Sequence, residues 1–128
     1  MSEIENHYKP NGHYISKKGW GYEEWIVNNE KYCGKILRIY KDKQTSWHYH
    51  KIKDEVMYCQ EGNVKILYSY NEDINNLIET REVILFPGDS FHIPTGMIHR
   101  LFAIEDSEIF EISTQHFEED SYRIEKGD

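Results

Sequence analysis

A succession of short strand-like runs, each closed by turn-forming residues, limits what this chain can fold into. The runs are YEEWIV, GKILRIY, TSWHYH, EVMYCQ, NVKILYSY, LIETREVILF, SFHIP, IHRLFAI and SEIFEIST. Between many of them stand NNE, EGN, PGD, PTG and EDS. Gly, Pro, Asn and Asp reverse the chain there, so the pattern predicts an all-β sandwich or barrel. No long 3.6-residue periodicity competes with it. The ambiguous place is NEDINNLIE (71–79), where Ile74, Leu77 and Ile78 would share a helical face. We read it as a hairpin loop running into a strand. Aromatic residues make up 14% of the chain, ten of them tyrosine, and this suits half-buried strands.

The 128 residues predict one domain with a single core. Residues 1–19 are polar and carry Pro10, Gly12 and Gly19; they read as an extended N-terminal arm with at most one strand. Residues 20–115 read as the barrel. Residues 116–128 read as a charged tail whose Phe117, Tyr122 and Ile124 are able to pack back onto the body.

The net charge is −8, which opposes binding to a phosphate backbone and predicts no nucleic-acid partner. The polar N-terminus does not read as a secretory signal, and no apolar run approaches the roughly 18 residues of a membrane span. These features predict a soluble cytoplasmic protein. Cys33 and Cys59 form no C-x-x-C pair and read as two buried reduced thiols.

Chemistry enters with WHYHKIKDEVMYCQEG, residues 47–62. On a strand, successive side chains alternate faces, so His48 and His50 share one face, roughly 6.6 Å apart along the chain. Imidazoles leaning together meet a common ion at about 2.0–2.1 Å. A tight connection through KIKD returns the chain and aims Glu55 at the same point. Gly62 ends that strand where a turn needs positive φ. Downstream, PGDSFHIPTGMIHRLF holds two turns and then His99 at the start of a strand. Three neutral imidazoles and a carboxylate suit a divalent ion such as Zn, Fe, Ni or Mn, and an open position on it would take water or substrate.

These residues resemble the two motifs of the cupin superfamily. His48, His50, Glu55 and Gly62 match the first, H-x-H with a following glutamate and glycine. Gly88, Pro94, Gly96 and His99 match the second. Asp42 stands where the first often opens with glycine, and Ala103 where the second often ends with asparagine. The resemblance implies an antiparallel double-stranded β-helix, a jelly-roll-like barrel with the ion inside one end. It also implies that His48, His50, Glu55 and His99 are the metal ligands.

The flanks are similar to the cupin domain of type II mannose-6-phosphate isomerases. Trp20, Gly21, Tyr22 and Glu23 match its entry strand; Glu111, Thr114, Glu119, Asp120 and Arg123 match its closing segment. The spacing from His50 to Glu55 is longer than that family usually shows. The resemblance implies a metal-dependent isomerase acting on a sugar phosphate or related carbohydrate, with Glu55 or His92 as the base. Two other readings use the same ligands: an Fe(II)-dependent dioxygenase, and a non-catalytic barrel that binds a small ligand. Lys53, Arg38, Arg100 and Arg123 are candidates for a phosphate; Trp47 and Tyr49 are candidates to stack on a sugar ring. His7, His13 and His116 lie in polar segments and receive no role. Exposed edge strands at the barrel seam, together with the habit of similar cupins, predict a homodimer.

Overall fold

A computed structural model describes residues 13–69 and 80–128. Eleven strands follow in order: β1 Tyr14–Lys18, β2 Gly21–Asn28, β3 Cys33–Ile39, β4 Trp47–Tyr49, β5 Glu55–Glu61, β6 Val64–Ser69, β7 Arg81–Leu85, β8 Ser90–Ile93, β9 Ile98–Ala103, β10 Ser107–Ser113 and β11 Tyr122–Glu125. A 3-10 turn at Glu118–Asp120 precedes β11. The hairpin expected over 71–79 lies outside the described residues.

One sheet has the order β1-β2-β3-β10-β5-β8 and the other β11-β4-β9-β6-β7, with every pairing antiparallel. From β3 onward the chain crosses repeatedly between the sheets, which gives the jelly-roll arrangement the sequence predicts. Residues 14–18, read as part of an arm, pair along their length with β2. Residues 122–125, read as part of a tail, pair with β4. Arg100 fastens this last segment: its Nε donates to the Thr45 carbonyl at 2.9 Å and its Nη2 to the Lys126 carbonyl at 2.9 Å.

The inward rows of the strands change character along their length. In β3, Ile39 and Leu37 give way to Lys35; in β10, Ile109 gives way to Glu111; in β5, Cys59 and Met57 give way to Glu55; in β9, Ala103 and Leu101 give way to His99. The register aligns these changes, with Leu37 opposite Ile109, Ile109 opposite Cys59 and Lys35 opposite Glu111. One end of the barrel is therefore a dry core of Ile39, Cys59, Val64, Ile66, Ala103 and Ile109, among others. Each large aliphatic side chain fully buried there contributes about 2 kcal/mol. The other end gathers polar groups around a cavity. Gly62, at φ 81°, makes the turn between β5 and β6. A Cβ there would run into the Ser107 hydroxyl and the Asp106 carbonyl, so glycine is required on two counts.

Candidate metal centre

β4 supplies His48 and leads into His50, and β9 supplies His99, directly opposite His48 in the ladder. One ring nitrogen from each of the three falls within 4.8 Å of the others. The Nδ1 atoms are already engaged. That of His48 lies 2.8 Å from the Ser46 carbonyl, that of His50 3.0 Å from the Asp120 carbonyl, and that of His99 3.0 Å from the Met97 carbonyl. A carbonyl oxygen only accepts, so each Nδ1 carries the proton and donates it. Each Nε2 is left with its lone pair turned toward the common centre, the tautomer a metal needs.

Glu55, at the start of β5, stands beside two of them, outside the cluster of three. Its Oε2 stands 3.4 Å from Nε2 of His50 and 3.4 Å from Nε2 of His99. Glu55 Oε2 and His99 Nε2 are buried and have no hydrogen-bond partner among the described residues. Ligands at about 2.05 Å around a tetrahedral ion lie roughly 3.3 Å apart, so the spacing and the orphaned lone pairs both fit a divalent cation.

Burial, aided by His99 and His50, holds His48 well below its ordinary 6.5. Burial and then the Lys53 ammonium lower His50 to about 3. Burial lowers His99 to about 4. All three are neutral at pH 7, the ligating form. Burial, reinforced by Glu111, raises Glu55 to about 8, with Lys53 opposing.

A second polar cluster, which the sequence reading missed, backs this one. Lys53 Nζ donates to Glu111 Oε2 at 2.8 Å and to His116 Nδ1 at 3.1 Å, and lies 3.7 Å from Glu55 Oε1. Burial works against charge on Glu111, but Lys53 and Lys35 outweigh it and keep that carboxyl well below its usual range. His116 accepts from Lys53, so its Nε2 carries the proton that faces Glu118 Oε1 at 3.2 Å. Asp120 is 2% exposed and its carboxylate accepts the backbone N–H groups of Lys51, Ile52 and Lys53. Its own carbonyl orients His50, so one residue fixes both the connecting loop and a ligand. A carboxylate sixty-odd positions beyond KIKD gives no local sign of that role in the sequence.

Not all the sequence candidates reach the site. His92 lies opposite Val56 on the outer face of β8; its Nε2 is 2.7 Å from Asp54 Oδ1 and its side chain is 58% exposed. Strand parity takes His92 out of the role of base, since the inward residue there is Ile93, opposite Glu55. Arg38 likewise pairs outward, with Glu61 and Glu108. Arg100 is committed to the C-terminal segment. Trp47 and Tyr49 alternate with His48 and point away from it; Tyr49 stacks on Tyr122 with ring centroids 5.1 Å apart. Lys53 and Arg123 do line the cavity. Its volume is about 270 Å³, and apart from Trp20, Leu37, Met57 and Leu101 its large side chains are polar or charged.

A sequence model of the family described as Cupin matches residues 2–123. Comparison with curated proteins finds no match. Among solved structures, KdgF from Halomonas sp. superposes with a TM-score of 0.70 at 15% identity, over 87% of this chain and 94% of that one. The capsular polysaccharide assembling protein CapF from Staphylococcus aureus gives 0.76 at 16% identity, over 88% of this chain and 32% of that one. Oxalate decarboxylase from Bacillus subtilis gives 0.73 at 16% identity, over 88% and 30%. The likeness at such identities is one of fold, and the chain spans about a third of the length of the last two.

Proposed function

The chain belongs to the cupin family, and from that membership and the geometry of its site we propose that it is a divalent-metal-dependent enzyme acting on a small carbohydrate, with aldose–ketose isomerisation as its reaction. The observation that carries the metal is the convergence of one ring nitrogen from each of His48, His50 and His99 within 4.8 Å of one another, with Glu55 Oε2 buried 3.4 Å from two of them. A cavity of about 270 Å³ with hydrogen-bonding walls suits a molecule of monosaccharide size. The flanking likeness to type II mannose-6-phosphate isomerases favours the sugar phosphate among carbohydrates. CapF, itself a polysaccharide-assembling protein, agrees with sugar chemistry in this fold.

In this reading His48, His50 and His99 hold the ion, with Glu55 beside them. The bound ion supplies Lewis-acid stabilisation of negative charge on a substrate oxygen. Glu55 would take the proton from the carbon next to the carbonyl and return it to the former carbonyl carbon, while the proton of the neighbouring hydroxyl passes to the former carbonyl oxygen. Lys53 stands 3.7 Å from the far oxygen of Glu55 and draws its charge.

The test starts from protein purified without added metal. Elemental analysis gives the ion, and turnover of aldose and ketose phosphates is followed by NMR in deuterated water. The expected result is deuterium at the carbon beside the carbonyl, lost on chelation and restored by the ion found. A metal-loaded protein that binds no sugar or sugar phosphate, or that consumes oxygen with thiols or catechols, overturns the reading.

A further inference from the structure

The cavity wall carries two buried lysines in different states. Lys53 makes two hydrogen bonds, to Glu111 at 2.8 Å and to His116 at 3.1 Å, and pairs with Glu55 Oε1 at 3.7 Å. Lys35 differs. Its side chain is 1% exposed, and among the described residues its ammonium makes no hydrogen bond; its nearest carboxylate oxygen is Glu23 Oε1 at 3.7 Å. That oxygen already accepts from Trp25 Nε1 at 3.0 Å. On another side Lys35 Nζ sits 3.9 Å from the centre of the Trp25 ring, a contact that attracts charge but accepts no hydrogen bond along a lone pair. An ammonium has three donors, and withdrawing it from water without acceptors is costly. Lys35 lines the same cavity as the histidines, on the β3 wall, in register with Glu111 of β10. A ligand oxygen arriving in the cavity would supply the acceptor that the protein does not.

We propose that Lys35 is an oxyanion-binding point inside the cavity, so that the molecule this site takes carries a phosphate or carboxylate at one end while its other oxygens face the three histidines. The proposal rests on the carbohydrate reading for the identity of the molecule, and on Lys35 alone for its charge. Charge-assisted hydrogen bonds are among the stronger single contacts, and a buried ammonium discriminates an anion from a neutral hydroxyl of the same size.

Three polyols that differ at one end test this: glucitol, gluconate and glucitol 6-phosphate, with inorganic phosphate as a fourth probe. Their affinities for the metal-loaded full chain are measured by calorimetry. We expect one of the two anionic polyols to bind at least tenfold more tightly than glucitol, a difference of about 1.4 kcal/mol. Lys35→Met should erase that advantage and leave glucitol unchanged, and Lys35→Arg should restore part of it. Lys35→Gln serves if the methionine variant does not fold, and melting curves and metal content identify any general damage. Equal affinity for all three polyols in the native chain overturns the proposal and leaves the carbohydrate reading standing. Equal loss of charged and neutral probes in the Lys35 variants also overturns it, since that marks a structural lysine. Phosphate binding that depends on Lys35, in a chain that binds no polyol, supports the oxyanion point and overturns the carbohydrate reading.

Discussion

Oε2 of Glu55 lies 3.4 Å from Nε2 of His99, and neither atom has a hydrogen-bond partner among the described residues. The two come from strands in different sheets, and the backbone carbonyl of Met97 fixes the tautomer that leaves the His99 lone pair unprotonated. Two such atoms in a buried place share a proton on Glu55 or, once that proton leaves, a metal cation.

Removing one of them should therefore remove the ion. His99→Ala is expected to lower affinity for the divalent metal by at least about a hundredfold, read by competition with a chromophoric chelator. In the native chain, metal at a hundred times its dissociation constant should stabilise the fold by about 2.7 kcal/mol, a rise in Tm of roughly 10 °C. A melting curve that ignores every divalent ion offered would count against the centre.

Metal affinity should depend on pH through Glu55. The histidines, at about 3 for His50 and about 4 for His99, are neutral over the working range and contribute no proton competition there. Glu55 is raised to about 8, so its burial favours the protonated, metal-free form below that value. Its proton must leave when the cation binds. Affinity should climb toward tenfold per pH unit as pH rises to about 8 and then level. In Glu55→Gln the slope between about pH 5 and 8 should vanish. The metal-free fold adds a second sign: histidines with depressed values lend stability above 6.5, lost as pH falls through about 4 and then about 3.

The Lys53–Glu111 pair is a buried ion pair with side chains 3% and 6% exposed. Glu111→Leu leaves the ammonium short of its strongest acceptor and should cost about 3 kcal/mol in urea unfolding. Adding Lys53→Met should recover most of that loss, because the uncompensated charge goes with it. A double variant no more stable than the single one would show that the pair is not the source.

Asp120 ties the loop after His50 to the C-terminal segment. Asp120→Ala removes the acceptor for the N–H groups of Lys51, Ile52 and Lys53. About 2–4 kcal/mol of stability should be lost, with metal affinity down ten- to a hundredfold as the loosened loop shifts His50 against the carbonyl of residue 120. Crystallography of the variant would show whether His50 turns.

Much of this was legible in the chain itself. The alternation within GKILRIY and SEIFEIST and the turns at EGN, PGD and PTG specify strands, because side-chain period and turn chemistry are local. His48 and His50 share a face for the same reason, and the H-x-H and P-T-G spacings point to the metal cluster with Glu55 and His99. Sequence alone could not say which way a short strand faces, and so it offers His92 as a base when parity turns it outward against Asp54. Nor could it show that Lys53, Glu111 and His116 meet behind the ligands, or that Asp120 caps a loop far away in the chain. Those contacts are made by register between strands distant in sequence, and register is decided only when two sheets close on a common core.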